Sequence, residues 1–164
     1  MKKILTVAAT FALTGVAAAA TSTGTLDVTA TVAPACVVST TTNTLAFPTF
    51  NPTVGAVTAQ TNIGITCNNG LGYTVSLDNG SNFLVTRRMT DGSGNYLEYS
   101  LNRPNNADNN NSGSAWGTTP NVVTRTGSGV EQLATVYGTI PFSTANQAAV
   151  TGSYTDTVTI TVTF

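Results

Sequence analysis

The closing stretch of the chain, Tyr154-Thr-Asp-Thr-Val-Thr-Ile-Thr-Val-Thr-Phe164, alternates at every position. Its odd-numbered residues are all threonines, and its even-numbered residues are apolar or aromatic except for Asp156. A period of two residues is typical of a β-strand with one buried face and one hydrated face. The stretch therefore predicts a strand, and it predicts that the Asp156 carboxylate lies at a sheet margin or has a partner.

A second alternating stretch lies near the other terminus. Leu26, Val28, Ala30 and Val32 would share one face of a strand, with an aspartate and two threonines on the other face. Pro34 follows at once, and proline is confined to strand margins and bends. We therefore expect a strand at each terminus of the exported chain.

Further strand-like stretches fill the sequence between these two. They lie at 36–50, 62–67, 73–77, 83–89, 95–101 and 132–140. Turn residues separate them, notably at 78–80 and at 91–94, where a hairpin is expected. No window shows a helical period. Short strands at this spacing favour an all-β sandwich.

The composition excludes several classes of function. The 164 residues provide one domain, 8% of them are charged, and histidine is absent. Without histidine, the chain has neither a Ser-His-Asp triad nor a histidine-ligated metal. Six basic residues and a net charge of −1 leave no electrostatic footprint for nucleic acid.

The first twenty residues have the pattern of a secretory signal. Met1-Lys2-Lys3 is a positive start, residues 4–16 are mostly apolar, and Ala18-Ala19-Ala20 supplies the small residues that a signal peptidase reads. Threonines interrupt the apolar run, which favours a cleaved signal over a membrane anchor. We expect cleavage after Ala20 and no membrane span in the exported chain.

Cys36 and Cys67 are the only cysteines. An even count behind an export signal indicates one structural disulfide. A redox pair would favour the Cys-x-x-Cys spacing, and a metal site would need more ligands. A cross-link over 31 residues stabilises a fold by roughly 3.5–4 kcal/mol in the chain-entropy model.

The remaining polar clusters show no catalytic constellation. Residues 91–95 place oxygen ligands at alternate positions, but the calcium-loop pattern then fails, so a hairpin turn is favoured. Glu98 and Glu131 have no spacing that predicts a carboxylate pair. Arg87-Arg88 is too small a basic step for a polyanion. We therefore predict no catalytic, cofactor-binding or metal-binding residue, and no enzyme.

Residues 102–129 are rich in Asn, Gly and Ser and predict a long loop with at most one short strand. Trp116 within it is either a residue packed on the edge of the sandwich or a platform for a bound ligand. The first interpretation is favoured.

In its motifs the exported chain resembles the spore coat protein U domain family, which includes the archaic chaperone–usher pilins. The shared features, in order along the chain, are residues 26–32 before Cys36, Ile63-Gly-Ile-Thr-Cys67, residues 73–77, Arg87-Arg88-Met89, Leu97-Glu-Tyr99, Tyr137-Gly-Thr-Ile-Pro141 and residues 152–164. The last of these is the most specific, because Gly-x-Tyr-x-Asp leads into an alternating strand that ends in Phe164.

This resemblance implies an immunoglobulin-like sandwich that lacks its final strand. Residues 1–20 would be the signal, 21–35 a donor-strand segment and 36–164 the sandwich domain. The donor residues would be Leu26, Val28, Ala30 and Val32. The acceptor groove would be lined partly by Val38, Val158, Ile160, Val162 and Phe164.

The resemblance also implies partners and a location. A periplasmic chaperone would fill the groove first, and the donor strand of the next subunit would replace it at an outer-membrane usher. The product would be a surface fibre that supports adhesion and biofilm formation. The alternative is a self-complemented secreted coat or binding protein, in which the N-terminal strand fills its own groove and loop 102–129, with Trp116, binds a glycan or a surface.

Overall fold

The computed structural model describes residues 19–39, 44–103 and 114–164, so most of the expected signal lies outside the described residues. The chain forms two units, residues 1–32 and 33–164. Residues 19–32 have no regular secondary structure, and Leu26, Val28 and Val32 are 86%, 83% and 82% exposed. The strand predicted at 26–32 is therefore not formed in the single chain, since an extended segment needs a ladder partner to become a strand.

The described part of the second unit holds eight strands and one short helix. In chain order they are β1 (Cys36–Val38), β2 (Val57–Cys67), β3 (Gly72–Leu77), β4 (Arg87–Thr90), β5 (Tyr96–Asn102), β6 (Val123–Thr126), β7 (Gln132–Ile140), α1 (Thr144–Gln147) and β8 (Ile160–Thr163).

The strands form two antiparallel sheets. The larger has the order β1-β2-β7-β5-β4, and the smaller has the order β6-β3-β8. A bridge between Thr90 and Thr155 links the β4 edge of the larger sheet to the segment that precedes β8. These curled sheets confirm the predicted all-β class.

The core lies between the sheets, because the apolar residues alternate along the long strands. The burial pattern of β3 and β5 has a period of two, and β7 buries Ala134, Val136 and Ile140 in the same core. Gly138 lies in the same row, where a side chain would come within 3.0 Å of Leu45 and Phe47. Its missing side chain lets the segment after β1 pack closely on β7.

The alternation predicted for residues 154–164 is confirmed by burial. Tyr154, Val158, Ile160 and Val162 pack against the core, and the threonines between them are exposed. Only 160–163 pair regularly as β8, but the preceding residues are extended and hydrogen-bonded to residues 78–81 and to Thr90. The Asp91–Asn95 turn between β4 and β5 confirms the predicted hairpin.

Several sequence predictions were wrong in detail. The broken strand expected at 36–50 forms only at Cys36–Val38, with residues 44–50 irregular and 40–43 outside the described residues. The strand expected from Phe83 begins at Arg87, because residues 83–86 form an exposed loop without ladder partners. One helical turn, α1, was not expected. It is too short to show a period, and the Ser143 hydroxyl caps it by accepting the Asn146 N–H at 3.2 Å.

Candidate functional site

An open groove of about 600 Å³ lies between the two sheets. Leu77, Leu97, Val136 and Ile140 form much of its apolar floor, and Val158 and Ile160 form one wall. Leu45, Phe47 and Phe50 lie at its rim, half-buried against the core. The groove is the part of the core that no described strand of the sandwich covers.

The strands that flank this core have unpaired edges. β8 pairs with β3 on one side, and none of residues 19–39, 44–103 and 114–164 pairs with its other side. β1 pairs in the same one-sided way with β2. A sandwich with an open groove beside an unpaired strand edge is the arrangement expected when one strand is missing.

The predicted acceptor residues occupy different positions around this groove. Val158 and Ile160 line it directly. Val38 on β1 and Val162 on β8 are half-buried against the core but are not part of the lining, and Phe164 is 55% exposed. The structure thus brings two of the five side chains together in the groove wall, and their role as acceptor positions stays a prediction.

Asp156 has the partners that its place in the alternating row required. Its Oδ1 accepts the N–H of Ser81 at 3.0 Å and the side-chain amide of Asn82 at 3.1 Å. Its Oδ2 accepts the hydroxyl of Tyr99 at 2.6 Å. Burial raises the pKa of Tyr99, and the hydrogen bond to Asp156 raises it further. The prediction of a partnered carboxylate is confirmed.

Asp78, in the loop after β3, forms a second carboxylate anchor for the C-terminal segment that carries Asp156. Its Oδ1 accepts the N–H of Gly80 and the N–H of Thr159, both at 2.9 Å. Burial alone would raise the pKa of Asp78, but the hydrogen bonds from Thr159 and Gly80 and the charge of Arg87 together lower it. Two carboxylates therefore hold the groove wall against the loop after β3.

Arg87 is buried and donates to backbone carbonyls. Its guanidinium reaches the carbonyls of Leu77, Asp78 and Trp116, the last at 2.8 Å. Burial lowers the pKa of Arg87, since the charged form loses hydration. Both arginines of the Arg87-Arg88 pair therefore make contacts within the fold. Arg87 ties β4 to β3, and the guanidinium of Arg88 stacks over the Tyr96 ring at 4.0 Å.

Trp116 is fully buried in the core, and its indole N–H donates to the carbonyl of Val75 at 3.0 Å. It therefore provides no surface platform, and the favoured interpretation as a packed residue is confirmed. The binding alternative for loop 102–129 loses the residue on which it depended. Residues 104–113 of that loop lie outside the described residues, and β6 is its expected short strand.

Cys36 and Cys67 form the predicted disulfide. They lie directly opposite each other in the β1–β2 pair, with Cα atoms 4.1 Å apart. The bridge fastens β1, one border of the open sheet, to the end of β2.

The described residues hold no group of three or more His, Cys, Asp or Glu side chains that could bind a metal. The Asp91 carboxylate is occupied by its own turn, where it accepts hydrogen bonds from Asn95 and Ser93. These bonds, with the Asn95 amide first, lower the pKa of Asp91. In the part of the chain that the structure describes, no helix is long and apolar enough to cross a bilayer.

Comparison with solved structures gives a protein of the same fold. The chain is similar to a chain in the crystal structure of the CsuC–CsuE chaperone–tip adhesion subunit pre-assembly complex, from archaic chaperone–usher Csu pili of Acinetobacter baumannii. The TM-score is 0.58 at 25% sequence identity, over 82% of this chain and 41% of that chain. This chain therefore spans less than half of the chain that it matches. The likeness confirms the expected immunoglobulin-like class.

No curated protein sequence matches the chain. The sequence model of the family described as "Spore Coat Protein U domain" matches residues 22–161. These residues include both cysteines, the groove and most of the alternating C-terminal segment. With an incomplete sandwich, the Cys36–Cys67 bridge and this match over most of its length, the chain belongs to the Spore Coat Protein U domain family.

Proposed function

We propose that this chain is a structural, non-enzymatic subunit of a chaperone–usher pilus that is joined to its neighbours by donor-strand exchange. The observation that carries the proposal is the open groove beside the unpaired edge of β8. Such an edge is a hazard for aggregation unless a strand covers it. A strand from another molecule would fill the groove with its side chains and pair with the edge through its main chain.

The donor is the segment 21–35. Its four apolar side chains, Leu26, Val28, Ala30 and Val32, recur at the spacing that places them on one face of a strand. Burying them contributes roughly 5–8 kcal/mol, which is an upper bound because association also costs entropy. The groove wall formed by Val158 and Ile160 supplies the receiving surface, extended by Val38, Val162 and Phe164.

The proposed route begins with export under the direction of residues 1–20. The disulfide between Cys36 and Cys67 forms in the oxidising periplasm. A periplasmic chaperone then covers the groove until an outer-membrane usher exchanges it for the donor strand of the next subunit. The product is a fibre at the cell surface that supports adhesion and biofilm formation.

The proposal is tested by removing residues 21–33 from the exported chain. The intact chain is expected to form ladders of polymers on unboiled SDS gels, because withdrawal of a whole strand is slow. The truncated chain should retain its disulfide and its chaperone complex but should not extend a polymer. Equal polymerisation of both chains would overturn the donor role of this segment.

A further inference from the structure

The donor segment, residues 21–35, belongs to the longest exposed stretch of the described chain. Residues 19–35 have no regular secondary structure, and every one of them is exposed. A protease binds its substrate as an extended stretch of several residues, so exposed and irregular segments near a terminus are cut first. Within the described residues, the donor segment is therefore the stretch that is most open to proteolysis.

The side chains of the donor segment suit one type of protease and not another. Apart from Asp27 they are apolar or carry a hydroxyl group, and none of them is basic. A protease with a small apolar specificity pocket, of the elastase type, accepts residues such as Val28 and Ala30 before the cut. A protease with an acidic specificity pocket, of the trypsin type, needs Arg or Lys there and finds neither in this segment.

The basic residues of the chain lie elsewhere, and the fold holds the arginines. The only lysines are Lys2 and Lys3, which belong to the proposed signal. The arginine side chains all donate to backbone carbonyls of the sandwich. They lie in β4, directly after β5 and in β6, at positions 87, 88, 103 and 125.

These contacts oppose cleavage by a protease of the trypsin type. The Arg88 guanidinium donates to the Asn82 carbonyl at 3.0 Å, and that of Arg125 donates to the Leu133 carbonyl at 2.6 Å. Each side chain must leave its partner, and its strand must leave the sheet, before the protease can bind it. Arg103 is followed by Pro104, and a bond to proline is cut slowly because the ring constrains the backbone around it.

The exposed apolar loop before β4 is a poorer site for an elastase-type protease than the donor segment. Residues 83–85 are exposed, but the loop is short and is tied on both sides. The N–H of Ser81 donates to the carbonyl of Thr157 at 3.1 Å, and the N–H of Leu84 donates to the carbonyl of Thr86 at 3.3 Å. Opening these hydrogen bonds costs free energy that the donor segment does not require.

We propose that residues 26–32 are a proteolytic modification site of the unassembled chain, cut by proteases specific for small apolar residues and not by proteases specific for Arg or Lys. In the cut, water hydrolyses one peptide bond, so the released piece ends in a carboxylate and the sandwich begins with a new amine. The trimmed sandwich keeps its groove and its disulfide but loses donor side chains. It can then accept a strand without donating one, and this consequence alone rests on the proposed function.

The first test locates the cut. The unassembled exported chain, expressed from the full-length sequence and separated from polymers by size-exclusion chromatography, is incubated with elastase or with trypsin at equal activity on casein. Intact mass and N-terminal sequencing identify the first cut. We expect elastase to cut first within residues 26–33, and we expect trypsin to leave the chain whole over the same period.

Val28→Arg and Val85→Arg provide a matched pair for trypsin, because both valines are 83% exposed and each variant gains one arginine. Val28→Arg should be cut at least about tenfold faster, since only the Val85 site is tied into a short loop. Equal rates for the two variants would overturn the proposal. A first elastase cut within residues 36–164 would also overturn it, and neither result touches donor-strand assembly.

The second test measures the consequence of the cut. Elastase-trimmed chain, freed of the protease, is mixed with untreated chain during assembly. We expect shorter polymers on unboiled SDS gels than an equal amount of added untreated chain gives, because a trimmed copy ends the fibre that it joins. A trimmed chain that extends polymers as well as the untreated chain would overturn the donor-strand proposal, while the mapped cut would still establish the modification site.

Discussion

Asp156 and Asp78 are the residues that fasten the last segment of the chain to the loop after β3. Each accepts one backbone N–H across this boundary, Asp156 from Ser81 and Asp78 from Thr159, and Asp156 also accepts the Tyr99 hydroxyl. Gly80 makes this arrangement possible in two ways. It has φ +80°, and its missing side chain leaves the space that the Asp156 carboxylate occupies.

Gly80→Ala should therefore destabilise the sandwich through both effects. Gly92→Ala is the matched control, because Gly92 also has φ +80° but has open space around it. The control should lose about 1–2 kcal/mol of unfolding free energy from backbone strain. Gly80→Ala should lose ~1–3 kcal/mol more from overpacking against Asp156. Urea unfolding measures both, and equal losses would show that the Asp156 contact is not tight.

Because the pKa of Asp78 is lowered in the folded state, we predict that the free energy of unfolding falls at acid pH. The folded chain binds fewer protons than the unfolded chain near the ordinary value of about 4. The stabilising contribution is present above this pH and is lost as the pH falls through the folded-state pKa. Asp78→Asn should flatten the decline in urea midpoint between neutral and acid pH.

Asp27→Asn removes one carboxylate from the N-terminal unit and serves as the control for that measurement. Its acid decline should match that of the parent chain. If Asp78→Asn and Asp27→Asn give the same slope, the hydrogen bonds of Asp78 to Thr159 and Gly80 do not stabilise the fold.

The short helix α1 supplies a side chain, Asn146, that bonds the backbone of β5 where β7 no longer pairs with it. β5 pairs with β7 only over Ser100–Asn102, so the backbone of Glu98 lies beyond the end of that ladder. The buried Asn146 side chain takes the place of the strand partner that β7 does not supply at Glu98. Its Oδ1 accepts the Glu98 N–H at 2.8 Å, and its amide donates to the Glu98 carbonyl at 3.1 Å. The same amide donates to the carbonyl of Pro141 at 2.9 Å.

Asn146→Ala should cost about 2–4 kcal/mol of unfolding free energy, because three partly buried backbone groups of Glu98 and Pro141 lose their partner. Thr144→Ala, an exposed position in the same helix, should stay within about 0.5 kcal/mol of the parent. Chemical denaturation of the two variants compares them directly. A loss for Asn146→Ala no larger than that for Thr144→Ala would contradict this role.

Elements with a clear period were predictable, and those that depend on tertiary contacts were not. The alternation of residues 154–164 predicted both their buried face and the need of Asp156 for a partner. Asn146 gave no signal, because its partners on Glu98 are 48 residues away and are backbone atoms. Trp116 left two interpretations open, since its burial and its hydrogen bonds to the carbonyls of Val75 and Leu101 depend on tertiary structure.

In the whole molecule, scarce charge and abundant threonine suit a chain that forms mainly strands, because β-branched side chains fit a pleated sheet. Exposed threonines form the hydrated outer side of the C-terminal segment, and its inner side borders the groove. The domain resembling pilus subunits is thus held by carboxylate anchors and one disulfide, and it is left open at one strand position. The donor proposal assigns that position to residues 26–32 of another copy.

The most direct measurement compares Val28→Asp with Thr29→Asp in the exported chain. Both add one carboxylate to the donor segment at adjacent positions, but only Val28 would point into the groove if 26–32 forms a strand. We predict that Thr29→Asp forms SDS-resistant polymers like the parent chain and that Val28→Asp does not. A Val28→Asp chain that polymerises as well as Thr29→Asp would contradict donor-strand assembly.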